Sequence, residues 1–199
     1  AGAVMALLVG LALALSAHAQ TPPDQTASLL ADRIHLANSD VLVAEGSVVV
    51  FYRGAQLTAS RIAYDARSGQ LLIDGPIRLQ EAGATGTVLL ADSAQLSTDL
   101  REGVLQSARM VLAQELQLAA ARITRSEYRY TTLEQVVASS CQICVLNPTP
   151  LWEIRARRVT HDAVTRQLRF EHAQFRAMGV PIAYFPRLRM PDPTVERMS

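Results

Sequence analysis

Cys141-Gln-Ile-Cys144 is the one stretch in which residue type and spacing together point to chemistry. A lone C-x-x-C admits three readings. It is a thiol-exchange site where a βαβ pattern surrounds it, and no such pattern does so here. It is half of a zinc site where a second C-x-x-C or a spaced histidine pair follows, and neither follows. Otherwise it is structural, oxidised within the pair or to cysteines outside this sequence. A bridge within the pair needs a tight turn, because residues i and i+3 of a strand stand about 10 Å apart. The remaining candidates are scattered. His18, His35, His161 and His172 have no histidine at i+4 and no carboxylate at ligand spacing. There is no G-x-S-x-G, P-loop or dinucleotide fingerprint. Asp and Glu fall mostly in turns, where their role is to form the turn. The residues thus predict no catalytic centre, no metal site and no cofactor.

The elements around these residues read as strands. In Ser60 to Leu79, Arg61-Ile-Ala-Tyr64 alternates and Asp65-Ala-Arg-Ser-Gly69 is a turn. Leu71-Leu-Ile73 returns, Asp74-Gly75-Pro76 breaks the pairing, and Ile77-Arg-Leu79 resumes. The same phrase recurs with starts at Arg33, Arg61, Ala94, Arg122 and Arg158, which lie 28, 33, 28 and 36 residues apart. A period of roughly 30 residues with about three short strands per unit is a repeat signal. The best helical rival is Ala108 to Ala121, but its match to the repeat phrase favours strands. Apolar residues make up 49% of the chain and aromatics only 5%, so the core must be built from Val, Leu, Ile and Ala. Nineteen basic and 18 acidic side chains leave a formal charge of +1, which argues against a nucleic-acid partner. The fold class expected is all-β.

In chain order, residues 1–19 read as a secretion signal: an apolar run ending at Leu15, too short to span a bilayer, then Ala17-His18-Ala19 before a cleavage point at Gln20. Residues 20–28 read as a flexible leader. Residues 29–178 form the repeat domain, with an internal loop at Gly83-Ala-Thr-Gly86, and 179–199 are rich in proline and read as an extended connector rather than a central strand. Export would make the two cysteines oxidised.

Arg61-Ile-Ala-Tyr-Asp, Gly69-Gln-Leu and Gly75-Pro-Ile-Arg-Leu79 resemble the organic-solvent-tolerance (OstA-like) periplasmic domain found in lipopolysaccharide-transport components. The second half is more specific. Cys141-Gln-Ile-Cys144, Pro150-Leu-Trp152-Glu-Ile154, Gly179-Val-Pro-Ile-Ala-Tyr184-Phe-Pro186 and Pro191-Asp-Pro193 look like the N-terminal part of the lipopolysaccharide-assembly family. The likeness covers roughly residues 29–199. It implies a β-jellyroll of two V-shaped antiparallel sheets, truncated before an outer-membrane β-barrel, with an interior that holds lipid A acyl chains. It implies transport rather than catalysis, at the outer membrane and facing the periplasm. The implied partners are lipopolysaccharide, a soluble periplasmic bridge jellyroll and, through the barrel, an outer-membrane lipoprotein plug. Family members join this domain to the barrel by disulfides, but with cysteines far apart; here both lie in one C-x-x-C, which leaves the connectivity of Cys141 and Cys144 open.

On that footing the repeat alignment nominates a groove. It stacks Val48 and Val50, Ile77 and Leu79, and Met110 and Leu112, and it superposes Leu57, Leu90 and Leu118 ahead of the next unit. Period-2 geometry puts each pair on one strand face, assigned here to the lipid-lined interior. Leu29 to Leu36, with Ile34 and Leu36 exposed to a partner, is expected at the open end, where it accepts a strand from the bridge protein. The competing functions are a free periplasmic lipopolysaccharide shuttle and a C-x-x-C redox protein.

Overall fold

A computed structural model describes residues 27–82, 87–113, 116–127, 129–140 and 150–193. The expected signal, the Gly83–Gly86 loop and both cysteines lie outside these residues. The described residues form twelve strands and no helix. The first two, β1 (Ser28–Leu30) and β2 (Arg33–Asn38), are short. The others have ten to twelve residues each: β3 (Val41–Tyr52), β4 (Ala55–Asp65), β5 (Gln70–Gln80), β6 (Val88–Ser97), β7 (Gly103–Leu112), β8 (Leu116–Ser126), β9 (Tyr130–Ser139), β10 (Trp152–Asp162), β11 (Gln167–Ala177) and β12 (Val180–Pro191). From β3 to β12 each strand pairs antiparallel with the next, while β1 and β2 lie along β3. The all-β expectation therefore holds, as one continuous, unclosed sheet.

The repeat has a simple structural meaning. Its unit is a hairpin, and each start falls on an even-numbered strand. The turn at 65–69 forms as its residues suggest. Asp65 accepts a hydrogen bond from the Arg67 amide at 2.8 Å on its side chain, and one from the Gly69 amide at 2.9 Å on its carbonyl. The count of three short strands per unit is not what forms. Leu71–Ile73 and Ile77–Leu79 belong to one strand, β5, interrupted but not ended at Asp74–Ile77. A bulge lets a strand keep its neighbours while changing direction, and sequence punctuation reads such a bulge as a terminus.

Every long strand from β3 to β11 is interrupted in this way near its middle. Buried residues run Leu57, Ala59, then Ile62 in β4; Leu89, Ala91, then Ala94, Leu96 in β6; and Leu105, then Ala108, Met110, Leu112 in β7. The same phase change appears as Leu133 to Val136 in β9, Ala156 to Val159 in β10 and Phe170 to Ala173 in β11. At these breaks two successive residues point outward, and in β3 and β5 three residues separate the buried Ala44 from Val48 and Ile73 from Ile77, so the inner face is concave there. The irregular backbone sits on odd strands, with positive φ at Ser47, Ser107, Gln135 and His172 and a cis Gly75–Pro76 bond. Leu57, Leu105, Leu118, Ile123 and Leu133 are fully buried, and the described residues offer nothing to cover them except the other half of the same sheet. The strands therefore bend along one line, and the two halves face each other as the layers of a V. This is how bulges build a sandwich corner, and it supplies the two layers expected of the jellyroll without a break in pairing.

Along the outer side of the bend runs a row of charge. Following the registers, Arg33 pairs with Glu45, Glu45 with Arg61 and Arg61 with Asp74. Ser93 and Gln106 continue it, and then Arg122, Glu134, Arg158, Glu171 and Arg187 complete it. Apart from the two neutral residues in the middle, which keep the phase, even strands carry Arg and odd strands carry the acid. Arg61 bridges Glu45 at 3.4 Å and Asp74 at 3.2 Å, and Arg158 lies 3.7 Å from Glu134 and 3.6 Å from Glu171. Cross-strand pairs of opposite charge of this kind help set register.

Residues 180–191, read from their prolines as a connector, add a full-length strand to the sheet. β12 pairs with β11 from Ala177↔Val180 to Gln167↔Pro191. Proline has no amide N–H to give a neighbouring strand, and among the described residues β12 has a neighbour on one side only, where residues whose amide positions face away from β11 need none. The sheet therefore continues past residue 178.

Candidate functional site

The interior of the V is apolar and graded. On the half that contains the N-terminal ends of even strands, one row follows the registers Val50↔Leu57, Leu57↔Leu79, Leu79↔Leu89, Leu89↔Met110 and Met110↔Leu118. It continues through Ala138, Ile154 and Phe175. Closer to the bend the pairs are smaller: Val48↔Ala59, Ile77↔Ala91, Ala108↔Ala120 and Val136↔Ala156. Small side chains occupy the region where the layers converge, and Leu and Met lie where they diverge. Each fully buried Leu contributes about 1.5–3 kcal/mol relative to exposure.

Most of the residues nominated from the sequence meet in this interior. Val48, Leu57, Ile77, Leu79, Met110, Leu112 and Leu118 are buried inside it, and Val50 packs against it. Two details of the alignment differ. Met110 shares a row with Leu79, and Leu112 lies one step farther out, because β7 accommodates its bulge at Ser107 rather than at a Gly-Pro pair. Leu90 is on the outer face, opposite Arg78 and Arg109, and its neighbour Leu89 takes the interior place. A single-residue slip in counting moves a side chain through the sheet. Ile34 and Leu36 lie on β2, exposed at the β1/β2 edge of the sheet.

At the open side of the V the tips of the two layers approach each other, and the lining becomes polar. A cavity of about 300 Å³ is bounded by Tyr52, Arg53, Leu79 and Glu81 from one layer and by Leu100, Arg101 and Arg125 from the other. Arg125 reaches across to Glu81 at 2.5 Å, and its Nη1 is buried without a hydrogen-bond partner. Beside it Arg129 donates from Nε and Nη2 to Asp162, at 2.8 and 2.6 Å. Asp162 also accepts from the amides of Val164 and Thr165. The Arg129 guanidinium holds the buried Asp162 carboxyl well below the usual carboxylate range, against the opposing effect of burial. The same contact raises the Arg129 pKa.

Sequence reading missed these mouth residues because their partners are remote: Arg129 and Asp162 are 33 residues apart, and His161 and Asp192 are 31 apart. His161 Nε2 lies 2.7 Å from Asp192 Oδ2 with both side chains buried, which fixes the end of β12 to β10. Among the described residues no group of three His, Cys, Asp or Glu side chains is placed to hold a metal ion.

Bent single-sheet architecture with an apolar interior and a charged mouth defines a jellyroll-type β-module. The sequence of this chain is similar to that of LPS-assembly protein LptD. It is 24% identical to the LptD of Hahella chejuensis over 173 residues, 86% of this chain. It is 26% identical to the LptD of Nitrosococcus oceani over 162 residues, 81% of this chain. The chain spans about a fifth of the length of both relatives, 21% in each case. No family model matches. Among solved structures, LptH of Pseudomonas aeruginosa, described as the LptA-homologous periplasmic component of the conserved lipopolysaccharide transport device, aligns with 86% of this chain and 100% of its own. The TM-score is 0.33 at 16% identity.

Proposed function

We propose that this chain is the periplasmic lipid-handling module of an outer-membrane lipopolysaccharide-assembly protein. The observation that carries the reading is the continuous apolar row from Val50 to Phe175, which runs across nine strands inside a sheet that does not close on itself. Acyl chains of lipid A entering between the layers would replace contacts among Leu57, Leu79, Leu89, Met110 and Leu118, gaining about 0.8 kcal/mol per buried CH2. Arg125 at the mouth supplies a donor to a lipid A phosphate, in competition with Glu81. A bridge jellyroll delivers lipid at the β1/β2 edge, and the barrel expected from the resemblance, with its lipoprotein plug, receives it. Cleavage after Ala19 and a disulfide from Cys141 or Cys144 to that barrel are parts of the same proposal, and the reading assigns the chain no catalytic step.

The second reading is a plain structural sandwich. It is favoured by the near-zero exposure of Leu57, Leu105, Leu112 and Leu118, whose interior is filled by the chain's own side chains. Admitting lipid therefore requires the two layers to part at the mouth. Photo-crosslinking residues placed at Leu57, Leu79 and Leu118, compared with one at Arg78 on the outer face, test this in cells. Lipopolysaccharide adducts from the three interior positions but not from Arg78 are expected. Adducts from Arg78 alone would invert the assignment of faces, and none at any position would leave the filled sandwich.

A further inference from the structure

Arg125 and Glu81 tie the two layers together across the mouth, and the tie leaves a donor unused. Arg125 stands on β8 two residues beyond the buried Ile123, so its side chain keeps the inward phase, opposite Gly103 and Thr131. Glu81 follows β5 on the other layer, two residues beyond the buried Leu79. Arg125 Nη2 reaches Glu81 Oε1 at 2.5 Å, while Nη1 is buried and unpaired. A guanidinium presents parallel N–H donors, and one phosphate can accept from two of them at once. Glu81 accepts from one. A buried donor without a partner is costly, so an anion that takes both nitrogens has an advantage over the resident carboxylate.

The other charged groups around the cavity are already engaged. Asp99 accepts from the Ser97 hydroxyl at 2.5 Å and from the Arg101 amide at 3.1 Å. Arg101 has a partner of its own. Arg129 is held by Asp162, and the Arg53 guanidinium lies over the Tyr52 ring, 5.3 Å from its centre. The cavity of about 300 Å³ beside the tie has room for a phosphate group next to Arg125.

We propose that Glu81 is a resident competitor that keeps the V shut. With Glu81 on Arg125 the layers are tied. A phosphate group that enters the cavity takes Nη1 and Nη2 together, displaces Glu81 and frees the layer that carries it. Anion capture and opening are then one event, with no covalent change. This control of the mouth rests on the lipid-handling reading in taking the interior as one that opens.

Uptake of N-phenylnaphthylamine, an uncharged dye that fluoresces in apolar surroundings, reports opening in the purified chain without lipopolysaccharide. Wild type is expected to take up the dye slowly in chloride and at least about tenfold faster in phosphate. Ionic strength is matched, because salt alone screens the pair. Glu81→Gln is expected to be fast in both. Arg125→Lys keeps a single charge for Glu81 but offers no fork, so it is expected to be slow in both. A tie that served packing alone would make the two variants behave alike. If a lowered Tm shows that Glu81→Gln loosens the fold, Arg125→Lys decides by itself, since it keeps the tie. Phosphate is supplied as the free ion and as glycerol 3-phosphate, the form that a lipid headgroup presents. A response to the ester alone assigns the site to a headgroup, and a response to the free ion makes it a site for a soluble effector. The inference is overturned by wild-type uptake that is equal with and without phosphate. It is also overturned by a phosphate response retained in Arg125→Lys, or by a folded Glu81→Gln as slow as wild type in chloride. Lipopolysaccharide adducts at Leu57, Leu79 and Leu118 alongside any of these results leave the lipid-handling reading standing without the latch. Phosphate-gated uptake without such adducts leaves the latch and removes that reading.

Discussion

Gly75→Ala is expected to lower the stability of this fold by about 2–4 kcal/mol. The residue stands in the bend of β5, and a Cβ built there lies within hard contact of the Asp92 carbonyl oxygen and 2.9 Å from that of Ala91. Both are backbone atoms of the paired strand, so neither can move as a side chain can. Relief requires β5 and β6 to separate where the layers converge on Ile77 and Ala91. Ser60 holds the same point from the other side, its hydroxyl 2.9 Å from the Asp74 carbonyl and 2.8 Å from the Gly75 carbonyl. Equilibrium urea unfolding would measure the loss against Gly69→Ala. Gly69 has a positive φ, but its Cβ would meet nothing within 4 Å, so that change is expected to cost only about 1 kcal/mol. Equal losses at the two positions would show that β5 and β6 do not approach as closely as described.

The second large effect is expected at the mouth. Asp162→Asn should cost about 2–3 kcal/mol at neutral pH, at the lower end for a buried pair because Arg129 is partly solvated. It should also change the acid limb of the stability curve. The folded-state carboxyl titrates below its unfolded value of about 3.9, so its contribution is fully present above that value and is lost as pH falls through it toward the folded one. Measured from pH 7 downward, the gap in stability between wild type and Asp162→Asn is expected to stay constant to about pH 5 and then narrow. A gap that does not change with pH would mean that the carboxyl is not held ionised by Arg129.

Strand content was readable because alternation is local. Val and Leu at every second position, with Asp and Gly between runs, require only neighbouring residues to specify strand and turn, and β4, the 65–69 turn and β5 follow from it. The hairpin repeat was readable for the same reason: an Arg returns on most even strands because the same row of the sheet needs a positive charge there. The proline-rich end illustrates the limit. Composition excluded a central strand over 180–191, but the choice between a connector and an edge strand depended on whether β11 had a free side, which no local pattern reports.

The sequence alone therefore determined that the chain is built of strands, that 65–69 is a turn and that the core is aliphatic. Only the tertiary structure decided where each strand bends, and with it which face of Leu89-Leu90 turns inward and how Met110 and Leu112 align with Leu79. It also decided the pairs Arg125–Glu81, Arg129–Asp162 and His161–Asp192, which join elements distant in sequence. The physical reason is common to both. Alternation is set by the backbone of each residue and its nearest neighbours, whereas the bend and the mouth arise only when two halves of one sheet come together and each must bury the other's inner face.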